Sequence, residues 1–176
     1  NEIYYAIEKS SIEFLKGNYK VSKQILLDEL QKEPTNTKLL LNLARIEKNL
    51  GNYGQAINIA SRVEKLEKNN SCLYLMAQCY EALEMIDEAV DYYNKLTHSS
   101  NFYIESHLSL AELFYKLGDL QKAYYYAYPI VDTLDKEHAL AIMFAVERNL
   151  GYSKLQDKYY DDLSDVNKEY VEKVGA

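Results

Sequence analysis

Residues 43–57 read LARIEKNLGNYGQAI, and this stretch decides the fold of the chain. Its apolar residues have the spacing of two amphipathic helices that meet at Leu50 and Gly51. Glycine adopts a left-handed backbone without a steric cost, so Gly51 predicts a helix end and a tight turn. Ala44 and Ala56, one on each side of the turn, are small enough to let the two helices approach closely. The stretch therefore predicts a helix–turn–helix unit.

The same arrangement recurs along the chain with a period of 33 or 34 residues. A fixed period in this range indicates stacked supersecondary units. The turn position is occupied by glycine in four units and by Glu84 in the third. The glycines are Gly17, Gly51, Gly118 and Gly151. Because a residue with a Cβ adopts the left-handed conformation only at a cost, Glu84 predicts a turn that is strained or differently shaped.

The apolar periodicity predicts ten helices, because few Gly and Pro residues interrupt it. They lie near 2–16, 19–32, 36–50, 53–66, 70–83, 86–97, 102–117, 120–134, 136–150 and 153–163. Thr35 and Asn36 are candidate N-caps of the third helix, and Asn69, Asn70 and Ser71 of the fifth. Pro129 interrupts the eighth helix, which must either kink over Tyr125–Tyr128 or end early and restart at the proline. We favour the kink, because the apolar spacing continues to Leu134.

Four other stretches carry the pattern of 43–57 in phase. They read LKGNYKVS at 15–22, MAQCYEALEMIDEAVDYY at 76–93, LAELFYKLGDLQKAYYY at 110–126 and FAVERNLGYSKLQDKYY at 144–160. On these blocks, and on Pro34 after the first pair of helices, the chain resembles the tetratricopeptide repeat (TPR) family. The fifth block departs from the family pattern, since Phe144 and Gln156 replace small residues. Terminal repeats are expected to be atypical.

The resemblance implies an all-α fold, a right-handed α-solenoid (superhelix) of about five TPR helix–turn–helix units. We expect a single solenoid domain over 1–176, with a short C-terminal capping helix at 165–174 that covers the last repeat. The repeats are expected at about 3–35, 36–69, 70–102, 103–136 and 137–163.

Composition bears on the partners of the chain, which has 176 residues and a net charge of −7. Nucleic-acid binding needs clustered Lys and Arg that neutralise phosphates, and the sequence has no continuous basic stripe. RNA binding, as in the similar pentatricopeptide repeats, is therefore disfavoured, and we expect no nucleic-acid partner. No apolar run is long enough to cross a bilayer, so we expect no membrane insertion by this segment.

The sequence offers little for catalysis, and we expect no enzymatic activity, no cofactor and no metal site. It contains no Gly-rich phosphate loop, HExxH or GxSxG motif. Of the three histidines, His107 falls where the repeat needs a packing residue. Cys72 and Cys79 lie seven apart on one predicted helix, about 10 Å from each other, which excludes a disulfide. Both cysteines are expected to be small buried residues.

In TPR proteins the first helices of successive repeats line a concave groove that holds a peptide. The residues that stand 13, 10, 6 and 3 before each turn position share one helical face and are expected to line it. The predicted groove residues are Lys38, Leu41, Arg45, Lys48, Tyr74, Gln78, Glu81, Leu108, Glu112, Tyr115 and Arg148. The other residues in the same phase are Tyr4, Ile7, Ser11, Phe14, Ser71, Glu105, His138, Ala141 and Ala145. Lys48 and Glu81 hold equivalent places in neighbouring repeats, so we expect that they can form an ion pair.

These residues predict an interaction scaffold or adaptor that binds a peptide or protein segment in the groove. Arginine and aromatic residues are enriched at interface hot spots, which favours a binding face at Arg45, Tyr74 and Tyr115. The alternative is a structural assembly module that self-associates, as a homo-oligomer, through convex or end surfaces. The set of side chains with which one TPR subclass grips chaperone C-termini is matched here only by Asn42, so we expect no carboxylate clamp.

The sequence gives only weak indications of where the protein resides. Asn1 is not an initiator methionine, so we expect a processed protein or part of a longer one. Unpaired cysteines slightly favour the cytoplasm. A signal peptide or lipid anchor upstream of Asn1 would instead place the protein in the periplasm or at a membrane.

Overall fold

The computed structural model of the chain describes residues 2–99, 101–131 and 136–150. These ranges contain nine α-helices and one 3-10 turn, and the chain divides into two compact units, 1–95 and 96–176. The first unit contains α1 (Glu2–Leu15), α2 (Tyr19–Lys32), α3 (Thr37–Asn49), α4 (Tyr53–Leu66), α5 (Asn70–Ala82) and α6 (Ile86–Asn94). The second contains α7 (Tyr103–Lys116), α8 (Leu120–Ala127), the 3-10 turn (Tyr128–Ile130) and α9 (Lys136–Leu150).

These bounds agree with nine of the ten predicted helices to within a few residues, apart from the end of the eighth. The all-α fold class is confirmed for the described part of the chain. The predicted tenth helix at 153–163, the turn glycine Gly151 and the capping helix at 165–174 lie outside the described residues.

The turn between α3 and α4 has the predicted left-handed geometry. Gly51 has a φ of 79°, and its N–H donates to the Lys48 carbonyl at 2.9 Å. The N–H of Asn52 donates to the Glu47 carbonyl, also at 2.9 Å. These two bonds define a Schellman motif, which satisfies carbonyls left without partners at the helix end. The glycine turns of the first and fourth repeats contain the same pair of bonds.

Glu84 confirms the prediction of a strained turn. Its φ is 59°, and it is the single non-glycine residue with a positive φ in the described ranges. Its N–H donates to the Glu81 carbonyl at 3.0 Å, and the N–H of Met85 donates to the Tyr80 carbonyl at 2.9 Å. The third turn therefore keeps the hydrogen bonds of the others, and its strain lies in the backbone angle of Glu84.

Small residues line the contact between the two helices of each repeat. All of the following are buried: Ser10, Ser22, Ala44, Ala56, Ala77, Ala89, Ala111 and Ala123. In the first repeat the pair consists of serines, whose hydroxyls bond across the contact. Ser10 Oγ donates to the Ser22 carbonyl at 2.9 Å, and Ser22 Oγ donates to the Ser10 carbonyl at 2.8 Å. The close approach of the helices is thus achieved without an unsatisfied hydroxyl.

Asparagine side chains begin α3 and α5, as the sequence predicts. The Asn36 side chain accepts from the N–H of Leu39 at 3.2 Å, and that of Asn69 accepts from the N–H of Cys72 at 3.0 Å. Each cap satisfies one of the N–H groups that have no partner within the helix. The two caps fix where the first helices of the second and third repeats begin.

The expected kink at Pro129 is wrong. The α8 helix ends at Ala127, and Pro129 lies within a 3-10 turn over Tyr128–Ile130. Proline has no N–H to donate to the carbonyl four residues earlier, and its ring clashes with that turn, so the α-helical bonding stops. Ile130 is nevertheless fully buried, which explains why the apolar spacing continues past the end of the helix.

In the second unit α9 contacts α7 and α8. His138 of α9 places Nε2 2.9 Å from Glu112 Oε1 of α7. The hydrogen bond to Glu112 raises the pKa of His138 above its usual value of 6.5, against an opposing effect of burial. This pair links the first helices of the fourth and fifth repeats.

The turn residues generate a prediction about stability. A Cβ at Gly51 or at Gly54 would meet no atom within 4 Å, but only Gly51 has a positive φ. We expect Gly51→Ala to lower the free energy of unfolding by about 1–2 kcal/mol, since alanine must take the left-handed conformation. Gly54→Ala, inside α4, is the matched control and should raise it by up to about 1 kcal/mol. Glu84→Gly should raise it by about 1 kcal/mol.

Urea denaturation of the three variants measures these changes. Equal effects of Gly51→Ala and Gly54→Ala would contradict the role of the left-handed turn.

The His138–Glu112 pair predicts a pH-dependent contribution to stability. Because the folded pKa of His138 is raised, the contribution is fully present below about 6.5, the unfolded value, and is lost as pH rises through the folded pKa. Both side chains are partly exposed, so Glu112→Gln should cost no more than about 1 kcal/mol at pH ~5.5 and almost nothing at pH ~8.5. Denaturation of both proteins at the two pH values tests this, and an equal cost at both would refute it.

Candidate functional site

The predicted groove residues of the first unit lie on three first helices that contact one another in sequence. The α1 helix contacts α3, and α3 contacts α5. We call the exposed and half-buried members of this set the groove face of the first unit. Its residues are Tyr4, Lys38, Arg45, Lys48, Tyr74, Gln78 and Glu81. Leu41 shares their phase but is only 7% exposed and belongs to the core cluster, so a ligand would meet little of its side chain.

Lys38 and Tyr4 join α3 to α1 at one end of the groove face. Lys38 Nζ donates to Tyr4 Oη at 3.0 Å and lies 4.8 Å from the centroid of the same ring. The hydrogen bond raises the pKa of Lys38 and lowers that of Tyr4. Lys38 is therefore fully charged at neutral pH and is held over an aromatic ring.

Lys48 and Gln78 join α3 to α5 at the other end. Lys48 Nζ donates to Gln78 Oε1 at 2.7 Å. The expected pairing of Lys48 with Glu81 is corrected, because Glu81 Oε2 instead accepts from Tyr93 Oη of α6 at 2.8 Å. The Tyr93 side chain is 1% exposed, and a buried hydroxyl requires a partner, which turns the carboxylate of Glu81 towards α6.

Tyr74 and Arg45 occupy the middle of the groove face. The Tyr74 ring packs edge-on against Tyr93, with 5.8 Å between the centroids, and is half-buried. This contact holds the ring in place and leaves part of its surface open. Arg45 is exposed on α3, between Lys38 and Lys48 in the same helical phase. The face thus combines a fixed aromatic ring with three cations.

The second unit contains the other predicted groove residues. Leu108, Glu112 and Tyr115 lie half-buried on α7. Burial raises the pKa of Tyr115, which also shares a side-chain hydrogen bond with Asn149 of α9. Arg148 belongs to α9, and its side chain lies outside the described residues. Glu112 is paired with His138, as described above.

The reactive side chains lie in the core. Cys72 and Cys79 are buried, and burial raises the pKa of each thiol to about 11, so both stay protonated at neutral pH. Cys72 Sγ donates to the Ala60 carbonyl at 3.1 Å. His107 is buried, donates from Nδ1 to the Tyr103 carbonyl at 2.8 Å, and has its pKa lowered by burial. All three therefore have the packing role that the sequence predicts.

No group of three His, Cys, Asp or Glu residues in 2–99, 101–131 and 136–150 is placed to hold a metal ion. None of the helices in these same ranges is long and apolar enough to cross a membrane.

A second exposed face was not predicted from the sequence. Tyr5 and Ile12 of α1 are 67% and 52% exposed. They stand 12 and 5 residues before the turn glycine, and the residues at these two places in the later repeats are at most 7% exposed. Those residues are Leu39, Ile46, Cys72, Cys79, Ser106, Leu113, Ala139 and Val146. We call Tyr5, Ile12 and the 84% exposed Leu15 the first-repeat face.

The sequence carried the signal for this face. In the second and third repeats the equivalent helices α3 and α5 contact the preceding helices α2 and α4. In the first repeat the large apolar residues Tyr5 and Ile12 are exposed at these places. Comparing equivalent positions between repeats would have found it.

Comparisons with known proteins agree with this architecture. The sequence model of the family described as "Anaphase-promoting complex, cyclosome, subunit 3", which is of tetratricopeptide type, matches residues 16–96. No curated protein matches the chain at a significant level.

Solved structures resemble the whole chain. A crystal structure of MamA has a TM-score of 0.76 at 16% identity, over 98% of this chain and 93% of that one. A tetratricopeptide repeat protein from Parabacteroides merdae has a TM-score of 0.71 at 22% identity, over 98% of this chain and 65% of that one. YrrB, described as a TPR protein with an unusual peptide-binding site, has a TM-score of 0.72 at 11% identity, over 96% and 90%.

These similarities agree with the left-handed turns, the small residues between paired helices and the period of 33 or 34 residues. The chain has the fold of tetratricopeptide repeat proteins, and its residues 16–96 match a family model of that type.

Proposed function

We propose that this protein is a protein–protein interaction scaffold whose groove face binds a peptide or protein segment. The single observation that carries the proposal is the composition of that face. It presents three cations, Lys38, Arg45 and Lys48, around the half-buried ring of Tyr74. Aromatic residues and arginine are the side chains most enriched at binding hot spots.

The fixed positions of these side chains also support binding. Lys38 and Lys48 are each held by a hydrogen bond to a neighbouring helix, and Tyr74 is held by its contact with Tyr93. Side chains that are fixed before a ligand arrives lose less conformational entropy when it binds. A face built in this way is better suited to recognition than a solvated face of mobile side chains.

Two further facts favour a peptide or protein over a chemical substrate. YrrB, a structural neighbour of this chain, is described as having a peptide-binding site. The thiols of Cys72 and Cys79 and the imidazole of His107 are buried and lie outside the groove face.

A capture experiment tests the proposal. The immobilised protein and the variant Arg45→Glu/Tyr74→Ala are compared for the proteins that they retain from a lysate of the source cells. The control Lys65→Glu/Tyr125→Ala makes the same changes at two exposed residues outside the groove face. We expect specific capture to fall about tenfold or more in the groove variant, since it loses a hot-spot ring and reverses a charge. Undiminished capture by the groove variant would refute the proposal.

Self-association is a second candidate function, and the first-repeat face favours it. Tyr5 and Ile12 stand at places that are buried in the second and third repeats, and the exposed Leu15 extends the apolar stripe. Exposed apolar residues that gather on one face commonly mark an interaction surface.

Light scattering after size exclusion measures this association. We expect the protein to form oligomers at high micromolar concentration and Tyr5→Lys/Ile12→Lys to be monomeric, because buried lysines oppose an apolar interface. Tyr125→Lys, at a residue that is 69% exposed in the second unit, is the control and should leave the oligomers intact. A monomeric parent protein would exclude this function.

A further inference from the structure

We propose that the groove face of the first unit selects an acidic peptide segment, whose Asp and Glu carboxylates bind Lys38, Arg45 and Lys48. The inference rests on the proposed function, because it names the chemistry of the ligand at the same face. The observation that supports it is the neutral hydrogen-bond acceptors of Lys38 and Lys48.

Five lysines elsewhere in the described chain pair with carboxylates. The ion pairs are Lys16–Glu13, Lys23–Glu47, Lys32–Glu29, Lys95–Asp91 and Lys122–Asp119, with N–O distances of 2.8–3.2 Å. Lys38 and Lys48 instead donate to neutral groups, the hydroxyl of Tyr4 and the amide of Gln78. A neutral acceptor orients an ammonium group and leaves its charge uncancelled. The groove face is therefore an array of oriented positive charge on an acidic protein.

Arg45 completes this array. It is exposed, and none of the ion pairs formed among the described residues involves it. Its planar guanidinium can bind a carboxylate through two parallel hydrogen bonds. In the α-helical register Arg45 lies about 10 Å along the axis from Lys38, and Lys48 lies about 15 Å from Lys38. One carboxylate cannot reach all three cations, so the ligand must carry at least two.

The carboxylates nearest to the array do not neutralise it. Glu81 accepts from Tyr93 on the side of α6. Glu67, which lines a cleft of about 430 Å³ together with Tyr4 and Lys38, exerts only a weak attraction on Lys38. Glu81 forms a hydrogen bond with a neutral hydroxyl and is also part of the groove face, so an acidic ligand would have to align its carboxylates with Lys38, Arg45 and Lys48.

An acidic peptide fits this face better than RNA does. Tight binding to a phosphate backbone uses about 6–10 cationic contacts, and the face offers three. The net charge of −7 would repel a polyanion along the rest of its length. A short segment with a few carboxylates and an apolar side chain for Tyr74 would use the whole face without that repulsion.

The test is selection from a random dodecapeptide library displayed on phage. It uses the full chain, the groove variant Lys38→Gln/Arg45→Gln/Lys48→Gln, and the control Lys20→Gln/Lys65→Gln/Lys68→Gln. Both variants remove three positive charges at exposed or half-exposed residues. The net charge of each variant is therefore −7 − 3 = −10. Binding is then measured by fluorescence anisotropy with a selected peptide, with its Asn/Gln isostere and with a labelled oligouridine.

We expect selected peptides to be enriched in Asp and Glu. Their affinity should fall about tenfold or more in the groove variant and in the isostere, and stay within about twofold in the control. Rising salt should weaken binding to the parent protein. Circular dichroism verifies that both variants are folded.

Three outcomes would overturn the inference, and they separate it from the proposed function. Selected peptides without acidic enrichment that lose affinity with Tyr74→Ala would refute the acidic ligand and retain the groove. Oligouridine that binds the array more tightly than any peptide would assign it to nucleic acid. Failure to select any peptide above background would refute the groove itself.

Discussion

The left-handed turn between the two helices of each of the first four repeats is the constraint on which the rest of the structure depends. It fixes where the first helix ends, and the two hydrogen bonds of the Schellman motif hold that end in place. The chain then returns along its own path, which brings small residues such as Ala44 and Ala56 into contact. The same turn fixes the phase of the first helix, and so decides which residues pack and which face solvent. That Glu84 keeps the turn without glycine shows how strongly the surrounding helices impose it.

Two positions of the repeat, four residues before the turn position and eight residues after it, change their residue types together from one repeat to the next. They show how one backbone accommodates two kinds of packing. In the second repeat Glu47 accepts from Asn52 at 2.8 Å and pairs with Lys23 of α2, so a buried carboxylate braces the turn. The third repeat has Tyr80 at that place, stacked on Tyr92 with 5.4 Å between the centroids. In the fourth repeat Phe114 and Tyr126 stack in the same way, at 5.6 Å. Much of the tyrosine content therefore serves packing, in accord with the large apolar area of an aromatic ring.

The fold was predictable because it depends on properties that repeat. The same period occurs in five segments of the sequence, which together indicate the fold more clearly than any one segment does. The helix ends at Asn36 and Gly51 follow from the local chemistry of capping residues. The failures have local causes. Pro129 offered two outcomes that differ by one hydrogen bond, and the apolar spacing of the neighbouring residues could not decide between them. Equivalent repeat positions placed Lys48 near Glu81, but the burial of Tyr93, which takes Glu81 as its acceptor, is a tertiary fact.

The candidate site was also predictable in part: helical phase identifies which residues share a face, but not which partners their side chains bind. Helical phase alone places Lys38, Arg45 and Lys48 on one face of α3, so the sequence could name the cations. Their partners come from helices 30 and 34 residues away, and only the packed structure reveals that Tyr4 and Gln78 are neutral. This distinction matters for function, because a lysine held by a carboxylate contributes little attraction to a ligand, whereas one held by a hydroxyl or an amide keeps its full charge. A stable fold would be served as well by glutamates at those two places. Glutamates there would, however, cancel the positive potential that the two lysines give to the groove face.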